Sequence, residues 1–284
     1  MAERRGSEMS GQFFDALDWQ RPWLSLLQPL AASIRAAGDW RAALNGAAAS
    51  IDLRNHRALP IRFVPQADLP QGTAYETFIS ATGCVPTRDN LHDFFNALVW
   101  LTFPQIKMQL NALQAAEIAR SNAASAGAHA GNTGRGKLRD GATIFDENAA
   151  LLLTSDAALV TALRNHQWHD VFIARRATFA HEWDVCLFGH ALMEKLVTPR
   201  KAITAHAWVV PVDQAFFAMP ADERRAWIDA AVAMQLTNGV VTSDFTPLPV
   251  LGVPDWWDMH GAEFYDDVTV FRPKRGAVTV DAPR

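Results

Sequence analysis

Apolar residues recur three and four positions apart through much of the chain, which is the spacing of one buried helical face. The clearest example lies between Asn90 and Phe103, where the apolar face comprises Leu91, Phe94, Phe95, Leu98 and Val99. Asn90 and Asp93 form a capping pair at the start of this predicted helix. Pro104 is typical of the first position of a second helix, which is predicted to end near Arg120.

The same patterns predict further helices and a few strands. The predicted helices occupy residues 19–37, 40–49 after an Asp39 cap, 74–82 before Gly83, 157–163 after an Asp156 cap, 167–179, 184–196 and 221–235. The predicted strands occupy residues 60–65, 141–145, 149–154, 205–212 and 268–271, with a turn around 146–148 as the alternative for the second and third. This order predicts an α+β fold that is predominantly α-helical, with a few short strands and an irregular C-terminal wrap.

Composition along the chain predicts one domain with two short ends. Residues 1–12 are expected to be a flexible leader, residues 13–275 a single globular domain, and residues 276–284 a tail. Within the domain, residues 121–137 are rich in Gly, Ala and Ser, which predicts a mobile loop.

The overall composition excludes several classes of protein. With 49% hydrophobic and 20% charged residues, the chain is neither disordered nor fibrous. A net charge of −4 argues against a general nucleic-acid binder. Cys84 and Cys186 form no Cys-x-x-Cys pair, so no cysteine zinc knuckle is present. Apolar runs such as Ala149–Leu153 are far shorter than the ~20 residues of a membrane span, and no secretory signal is visible, so we expect a cytoplasmic protein without a membrane partner.

Two local motifs resemble known sites but lack a necessary residue. The segment from Gly131 to Lys137 has the spacing of a phosphate-binding loop, but Leu138 stands where Ser or Thr would bind Mg²⁺. His181 and Glu182 begin a zincin-like pattern, but Val185 occupies the position of the second histidine. Neither motif therefore predicts a site.

Three polar segments interrupt apolar surroundings and carry the candidate chemistry. The candidate catalytic residues are His92, Asp93, Asn96, Arg139, Asp140, Asp146, Glu147, His190 and Glu194. Imidazole and carboxylate groups can share one cation, and the candidate ligands of a divalent metal are His92, Asp146, His190, Glu194 and His206. Because a guanidinium pairs with carboxylate or phosphate, Arg88 and Arg139 are candidates for binding an anionic group of a small-molecule substrate.

Three interpretations of these segments remain open. In the first, the chain is an enzyme with a buried polar cleft, and we favour a divalent-metal-dependent hydrolase because metal-activated water needs few further groups. In the second, it is a non-catalytic binding protein whose polar side chains form salt bridges and helix caps. In the third, Trp256, Trp257 and the loop residues Arg135 and Lys137 bind RNA, although the net charge disfavours a nucleic-acid partner. None of the three fixes the oligomeric state.

Several segments together resemble one protein family. They are residues 60–66, 85–100, 139–140, 145–148, 188–195, 251–257, 264–267 and 271–273. On these segments the chain resembles DUF3025, a bacterial domain family of unknown function, over roughly residues 15–275. The resemblance implies a single bacterial domain and no particular activity. The glycine-rich loop before Arg139 is longer than the family pattern.

Overall fold

The computed structural model describes residues 17–127, 136–257 and 261–274, with side chains described at all of these positions except 124–127. The predicted leader at 1–12, the predicted tail at 276–284 and positions 128–135 of the predicted loop lie outside the described residues.

The fold is α+β and predominantly helical, in a single domain, as the sequence predicts. The helices are α1 (Gln28–Arg35), α2 (Trp40–Ser50), α3 (Tyr75–Thr82), α4 (Leu91–Thr102), α5 (Pro104–Gly127), α6 (Lys137–Asn148), α7 (Ala157–Arg164), α8 (His190–Lys195) and α9 (Ala221–Leu236). The strands are β1 (Arg62–Pro65), β2 (Cys84–Thr87), β3 (Ala149–Thr154), β4 (Trp183–Leu187), β5 (Thr204–Pro211) and β6 (Thr246–Pro249). Short 3-10 turns connect several of them. In the part of the chain that the structure describes, no helix is both long and apolar enough to span a bilayer.

The strands form two small sheets. The larger has the order β4-β3-β5-β6, in which β3 runs parallel to β5 and antiparallel to β4, and β5 pairs antiparallel with β6. Strand β3 has the sequence Ala-Ala-Leu-Leu-Leu-Thr and is buried along its whole length. A continuous apolar run is typical of a strand that is covered on both faces. The smaller sheet pairs β1 and β2 in parallel.

The predicted helix caps at Asp39, Asn90 and Asp156 are confirmed, but Asp93 does not complete the predicted capping pair, because its carboxylate accepts hydrogen bonds from the amide and guanidinium of Arg88. The side chain of Asp39 accepts a hydrogen bond from the Ala42 amide at the start of α2, and that of Asn90 accepts one from the Asp93 amide at the start of α4. Asp156 caps α7 in the same way. These bonds satisfy helix N–H groups that have no partner within the helix. Gly83 ends α3 with a φ of 75°, which a residue with a side chain adopts at a cost.

Several predicted element types are wrong. Residues 141–145 belong to helix α6, and residues 184–187 belong to strand β4 rather than to the helix predicted for 184–196. Residues 268–271 form a turn, and the C-terminal strand is β6. A five-residue apolar run fits both the helical and the strand periodicity, so its structure depends on the neighbouring element. Residues 183–187 form strand β4 because they pair with β3.

Three predicted helices have different extents. The first is a 3-10 turn at Pro22–Leu24 followed by α1, because Pro29 restricts where an α-helix can begin. Residues 167–179 contain a π-helical turn at Asp170–Ala174 and a 3-10 turn at Arg176–Thr178. Helix α5 continues past Arg120 to Gly127, so the first part of the predicted loop is helical.

An aromatic cluster connects the helices to the larger sheet. The ring of Phe145 on α6 lies 5.1 Å from that of Phe188 and 5.3 Å from that of Trp208 on β5. Phe188 also packs on Phe103, at the junction of α4 and α5. Because these rings are fully buried or nearly so, they fix the position of α6 relative to the elements around it. The polar residues at the C-terminal end of α6 are thereby held in one place.

Candidate metal centre

Three helices bring two histidines and a glutamate together. His92 lies in the first turn of α4, His190 is the first residue of α8, and Glu147 lies in the last turn of α6. One ligand atom from each of the three side chains can be chosen such that all three atoms lie within 4.8 Å of one another. Among the described residues, no other set of three or more His, Cys, Asp or Glu side chains brings its ligand atoms this close together.

Gly189 allows α8 to approach the end of α6. A Cβ atom at this position would lie 2.5–2.6 Å from backbone atoms of Asn148 and Ala149, a distance that real Cβ contacts do not reach. The Gly189 amide donates a hydrogen bond to the carbonyl of Ala149. Since His190 follows directly, the close approach of the two backbones places its imidazole beside Glu147.

The nitrogen atoms of the two imidazoles face each other. His92 Nε2 lies 3.1 Å from His190 Nε2, and His190 Nε2 lies 3.6 Å from Glu147 Oε2. The side chain of His190 is 4% exposed, whereas those of His92 and Glu147 are 29% and 32% exposed. The group is therefore anchored in the interior at His190 and reaches solvent at the other two residues.

A second carboxylate lies beside the other nitrogen of each imidazole. His92 Nδ1 lies 3.0 Å from Glu194 Oε2, and His190 Nδ1 lies 3.9 Å from Asp146 Oδ1. Histidines that bind metals commonly place such a carboxylate opposite the metal, where it fixes the tautomer and orientation of the ring. Glu194 lies four residues after His190 on α8, but it contacts the ring of His92.

A buried lysine links Asp146 to the surrounding helices. Lys107 on α5 is 4% exposed, and its Nζ lies 2.5 Å from Asp146 Oδ1 and 2.8 Å from Asn96 Oδ1. Asn96 in turn donates a hydrogen bond to the hydroxyl of Tyr75. A buried ammonium needs charged and polar partners of this kind, because desolvation otherwise disfavours the cation.

Burial and charge shift the pKa values of the cluster in different directions. Burial is the main reason that the pKa of His190 falls to about 4, so its imidazole is neutral near pH 7. Burial raises the pKa of Asp146, but the Lys107 ammonium and His190 more than offset this effect, so the net shift is downward. The pKa of Glu147 is raised by burial and then by the charge of Asp146. A neutral imidazole retains a lone pair that can bind a metal.

The structure separates the other candidate residues from this group. The guanidinium of Arg88 donates two hydrogen bonds to Asp93, so each of these side chains has a local partner. Asp140 lies in the first turn of α6, where a carboxylate interacts favourably with the helix dipole. His206 lies on β5, its ring packs against Phe245, and it is not one of the three grouped residues. A metal role for Asp146, Glu194 and His206 stays a prediction.

Several polar residues near the site were not predicted from the sequence. Tyr75 and Glu76 come from α3, and Lys107, Asn111 and Gln114 come from one face of α5. The last three are all buried and lie four and three positions apart. The spacing of these three polar residues on one face of α5 was the available signal, since it indicates a helix face turned toward other polar groups.

The tryptophan pair proposed for RNA binding begins with a buried residue. Trp256 is 5% exposed, and its ring packs 6.0 Å from that of Trp23. It therefore fills the core, and its ring is not free to stack on a base. Arg135, the first basic residue of that hypothesis, lies outside the described residues.

The fold and the site together define a class: a predominantly helical α+β protein with one buried and one partly exposed imidazole, flanked by carboxylates, at the meeting point of three helices. The chain belongs to the family described as DUF3025, protein of unknown function, whose model matches residues 61–275. The match confirms the family resemblance, and the matched range includes His92, Glu147 and His190. No curated protein and no solved structure matches the chain.

Proposed function

We propose that the protein is a metal-dependent hydrolase in which His92, Glu147 and His190 bind one divalent cation. Metal–ligand bonds of about 2.0–2.1 Å in a tetrahedral site separate neighbouring ligand atoms by about 3.3 Å. The separations of His92 Nε2 and Glu147 Oε2 from His190 Nε2, 3.1 and 3.6 Å, lie on either side of this value, and all three ligand atoms lie within 4.8 Å of one another. The facing imidazole nitrogens are the observation that carries the proposal.

The number and type of the ligands favour a catalytic site over a structural one. Structural zinc sites usually have four protein ligands, whereas two histidines and one glutamate leave a coordination position open for water. A divalent metal lowers the pKa of such a water to about 7 and supplies a nucleophile for hydrolysis. Glu194 and Asp146 would hold the rings of His92 and His190 in place by hydrogen bonding and charge.

Two further assignments accompany this proposal. Arg139 on α6 lines a pocket beside Glu147, so it is our candidate for binding an anionic group of a small substrate. We also propose that the protein acts in the cytoplasm, which is compatible with its two free cysteines. Fractionation of cells that express a tagged protein tests the second assignment.

A non-catalytic function has one specific observation in its favour. If His190 Nε2 carries a proton, it donates a hydrogen bond to His92 Nε2 across the observed 3.1 Å. In that case His92 Nδ1 also donates to Glu194, and Glu194, His92 and His190 form a chain of hydrogen bonds without a metal, although His190 Nδ1 has no hydrogen-bond partner among the described residues. The protein would then be a binding protein with an ordered polar core.

Metal analysis of the purified protein separates the two functions. Protein dialysed against Zn²⁺ or Fe²⁺ and then against buffer should retain about one equivalent of metal, and His190→Ala should retain none while its circular dichroism spectrum stays that of a folded protein. His181→Ala, a change at an exposed histidine, is the matched control and should retain the metal. A folded wild-type protein that holds no metal, together with a large loss of stability in His190→Ala, favours the structural network.

A further inference from the structure

A small polar pocket lies directly beside the proposed metal centre. It has a volume of about 200 Å³ and is bordered by α3, α5 and α6. Its polar walls comprise Tyr75, Glu76, Gln114, Arg139, Thr143, Asp146 and Glu147, and the Asp146 carboxylate is paired with the Lys107 ammonium. Because Glu147 is both a proposed metal ligand and part of the wall, a molecule in this pocket lies next to the metal.

Arg139 presents a cation to the pocket. It makes no hydrogen bond or ion pair with another described residue, although it lies near enough to Glu76 for its charge to lower the pKa of that carboxyl. On α6, Arg139 is followed at helical spacing by Thr143 and Asp146, which line the same wall. A guanidinium in a polar pocket that has no partner among the described residues is suited to bind a carboxylate.

Glu76 presents a carboxylate whose orientation is fixed. Asn111 Nδ2 donates to Glu76 Oε2 at 2.6 Å, and Gln114, with its amide oriented so that the nitrogen faces this carboxylate, donates to Glu76 Oε1 at 3.1 Å. Burial, followed by the charge of Asp146, raises the pKa of Glu76 to about 7. An ammonium group in the pocket would offset that burial and stabilise the ionised carboxylate.

The size of the pocket limits what it can hold. Since one water occupies about 30 Å³ in the liquid, a volume of 200 Å³ corresponds to about seven waters. A molecule of the size of a single amino acid fits this space, and a folded polymer segment does not.

We propose that this pocket binds the head group of an α-amino-acid substrate, with its carboxylate on Arg139 and its ammonium on Glu76. The assignment as a substrate pocket rests on the metal centre proposed above. The reaction would hydrolyse an amide or ester of the amino acid side chain. Water adds its hydroxyl to the acyl carbon as the C–N or C–O bond breaks, and its second proton goes to the leaving amine or alcohol.

Calorimetric titration of the EDTA-treated protein tests the head-group contacts without the metal. L-Glutamine and L-asparagine are the probes; N-acetyl-L-glutamine and N-acetyl-L-asparagine lack the ammonium, and L-glutaminamide and L-asparaginamide lack the carboxylate. We expect at least one probe to bind, and each analogue of a bound probe to bind at least about tenfold more weakly, because each loses one charged pair.

Variants assign each charge to its partner. Arg139→Gln should lower the affinity for the probe about tenfold and leave the affinity for the analogue without a carboxylate, such as L-glutaminamide, unchanged. Glu76→Gln should also lower the affinity for the probe about tenfold and leave the affinity for the analogue without an ammonium, such as N-acetyl-L-glutamine, unchanged. Arg164→Gln, a change at an exposed arginine, is the control and should bind like the wild type.

Outcomes for the pocket and for the metal centre are distinguishable. Binding of metal with no heat from either probe, or with equal affinity for the probes and their analogues, overturns the pocket alone. If a probe binds selectively but the untreated protein retains no metal after dialysis against Zn²⁺ or Fe²⁺, the metal centre is overturned, and with it the assignment of the pocket to a substrate. Selective binding together with metal retention supports both.

Discussion

Asp229 and Glu147 are both carboxylates with a raised pKa, but their surroundings differ. Asp229 on α9 is 2% exposed, and its two oxygens accept hydrogen bonds from the amides of Gln105 and Ile106 at 3.0 and 2.9 Å. It therefore caps the N-terminus of α5 from a neighbouring helix. Glu147 accepts no hydrogen bond from another described residue and faces His190 at 3.6 Å.

This difference separates a structural carboxylate from a candidate functional one. Burial raises the pKa of Asp229, and the backbone amides partly offset that shift, so the ionised group is held by the helix that it caps. For Glu147 the next contribution after burial is the negative charge of Asp146, which raises the pKa further. A carboxylate in such a place destabilises the folded chain unless a cation joins it.

The largest expected effect is a pH dependence of the unfolding free energy that arises from His190, the imidazole that Glu147 faces. His190 has a folded-state pKa of about 4 and an ordinary value near 6.5, so between these pH values the unfolded chain binds more protons than the folded one. Its contribution to stability is fully present above pH 6.5 and is lost as the pH falls toward 4, by about 3 kcal/mol. Urea unfolding in EDTA at several pH values measures this loss.

Two histidine variants isolate that contribution. His190→Gln should show a flatter stability profile between pH 6.5 and 4 than the wild type does. His181→Gln, at an exposed position, should keep the wild-type profile. Equal profiles for all three proteins would show that His190 is not held neutral.

Removal of the Glu147 charge should affect metal binding and leave stability almost unchanged. Glu147→Gln keeps the shape of the side chain but removes a proposed ligand, so we expect the affinity for Zn²⁺ to fall by at least about 100-fold. The unfolding free energy of the metal-free protein should stay within about 0.5 kcal/mol of the wild type or rise, since a carboxylate with a raised pKa is removed. A large loss of stability in Glu147→Gln would show that Glu147, like Asp229, has a structural role.

Removal of the Asp229 carboxylate should have the opposite pattern. Asp229→Ala leaves the amides of Gln105 and Ile106 without partners, and we expect a loss of about 2 kcal/mol in the unfolding free energy. Asp222→Ala, at an exposed position in the first turn of the same helix, should lose much less. Asp229→Ala is expected to retain as much metal as the wild type. If this variant instead lost the metal and kept its full stability, Asp229 would not be a structural carboxylate that differs from Glu147.

The smallest expected effect concerns the carboxylate behind His92. Glu194→Gln weakens a contact to His92 Nδ1 without removing a proposed metal ligand, so the Zn²⁺ affinity should fall by about tenfold. Competition with a chromophoric chelator measures this change. An affinity equal to that of the wild type would mean that Glu194 does not support the ring.

Local sequence signals predicted the ends of several helices better than the types of the elements between them. Asp39, Asn90 and Asp156 cap the helices that were predicted after them, because a cap acts on amides only two or three residues away. Residues 141–145 and 184–187 were assigned the wrong element type, because pairing with a strand or packing on a sheet is not encoded in a five-residue window.

For the candidate site, the sequence supplied the chemical groups and part of their grouping. It singled out His92, Glu147, His190 and Glu194, but it placed Glu147 among the catalytic residues rather than the metal ligands. It also gave no weight to Lys107, which contacts Asp146 from a helix 39 positions earlier in the chain. The spacing of Lys107, Asn111 and Gln114 on α5 was the available signal, but the burial of Lys107 arises from the packing of α5 against the other helices.

The sequence by itself determined the predominance of helices, the caps, the family and the supply of imidazole and carboxylate groups. Those properties depend on backbone dihedrals, on hydrogen bonds over a few residues and on residue identity, all of which are local. Only the tertiary structure decided that His92 and His190, 98 positions apart, lie with their Nε2 atoms 3.1 Å apart. That distance depends on how α4, α6 and α8 pack, and packing is set by the shapes of many side chains together.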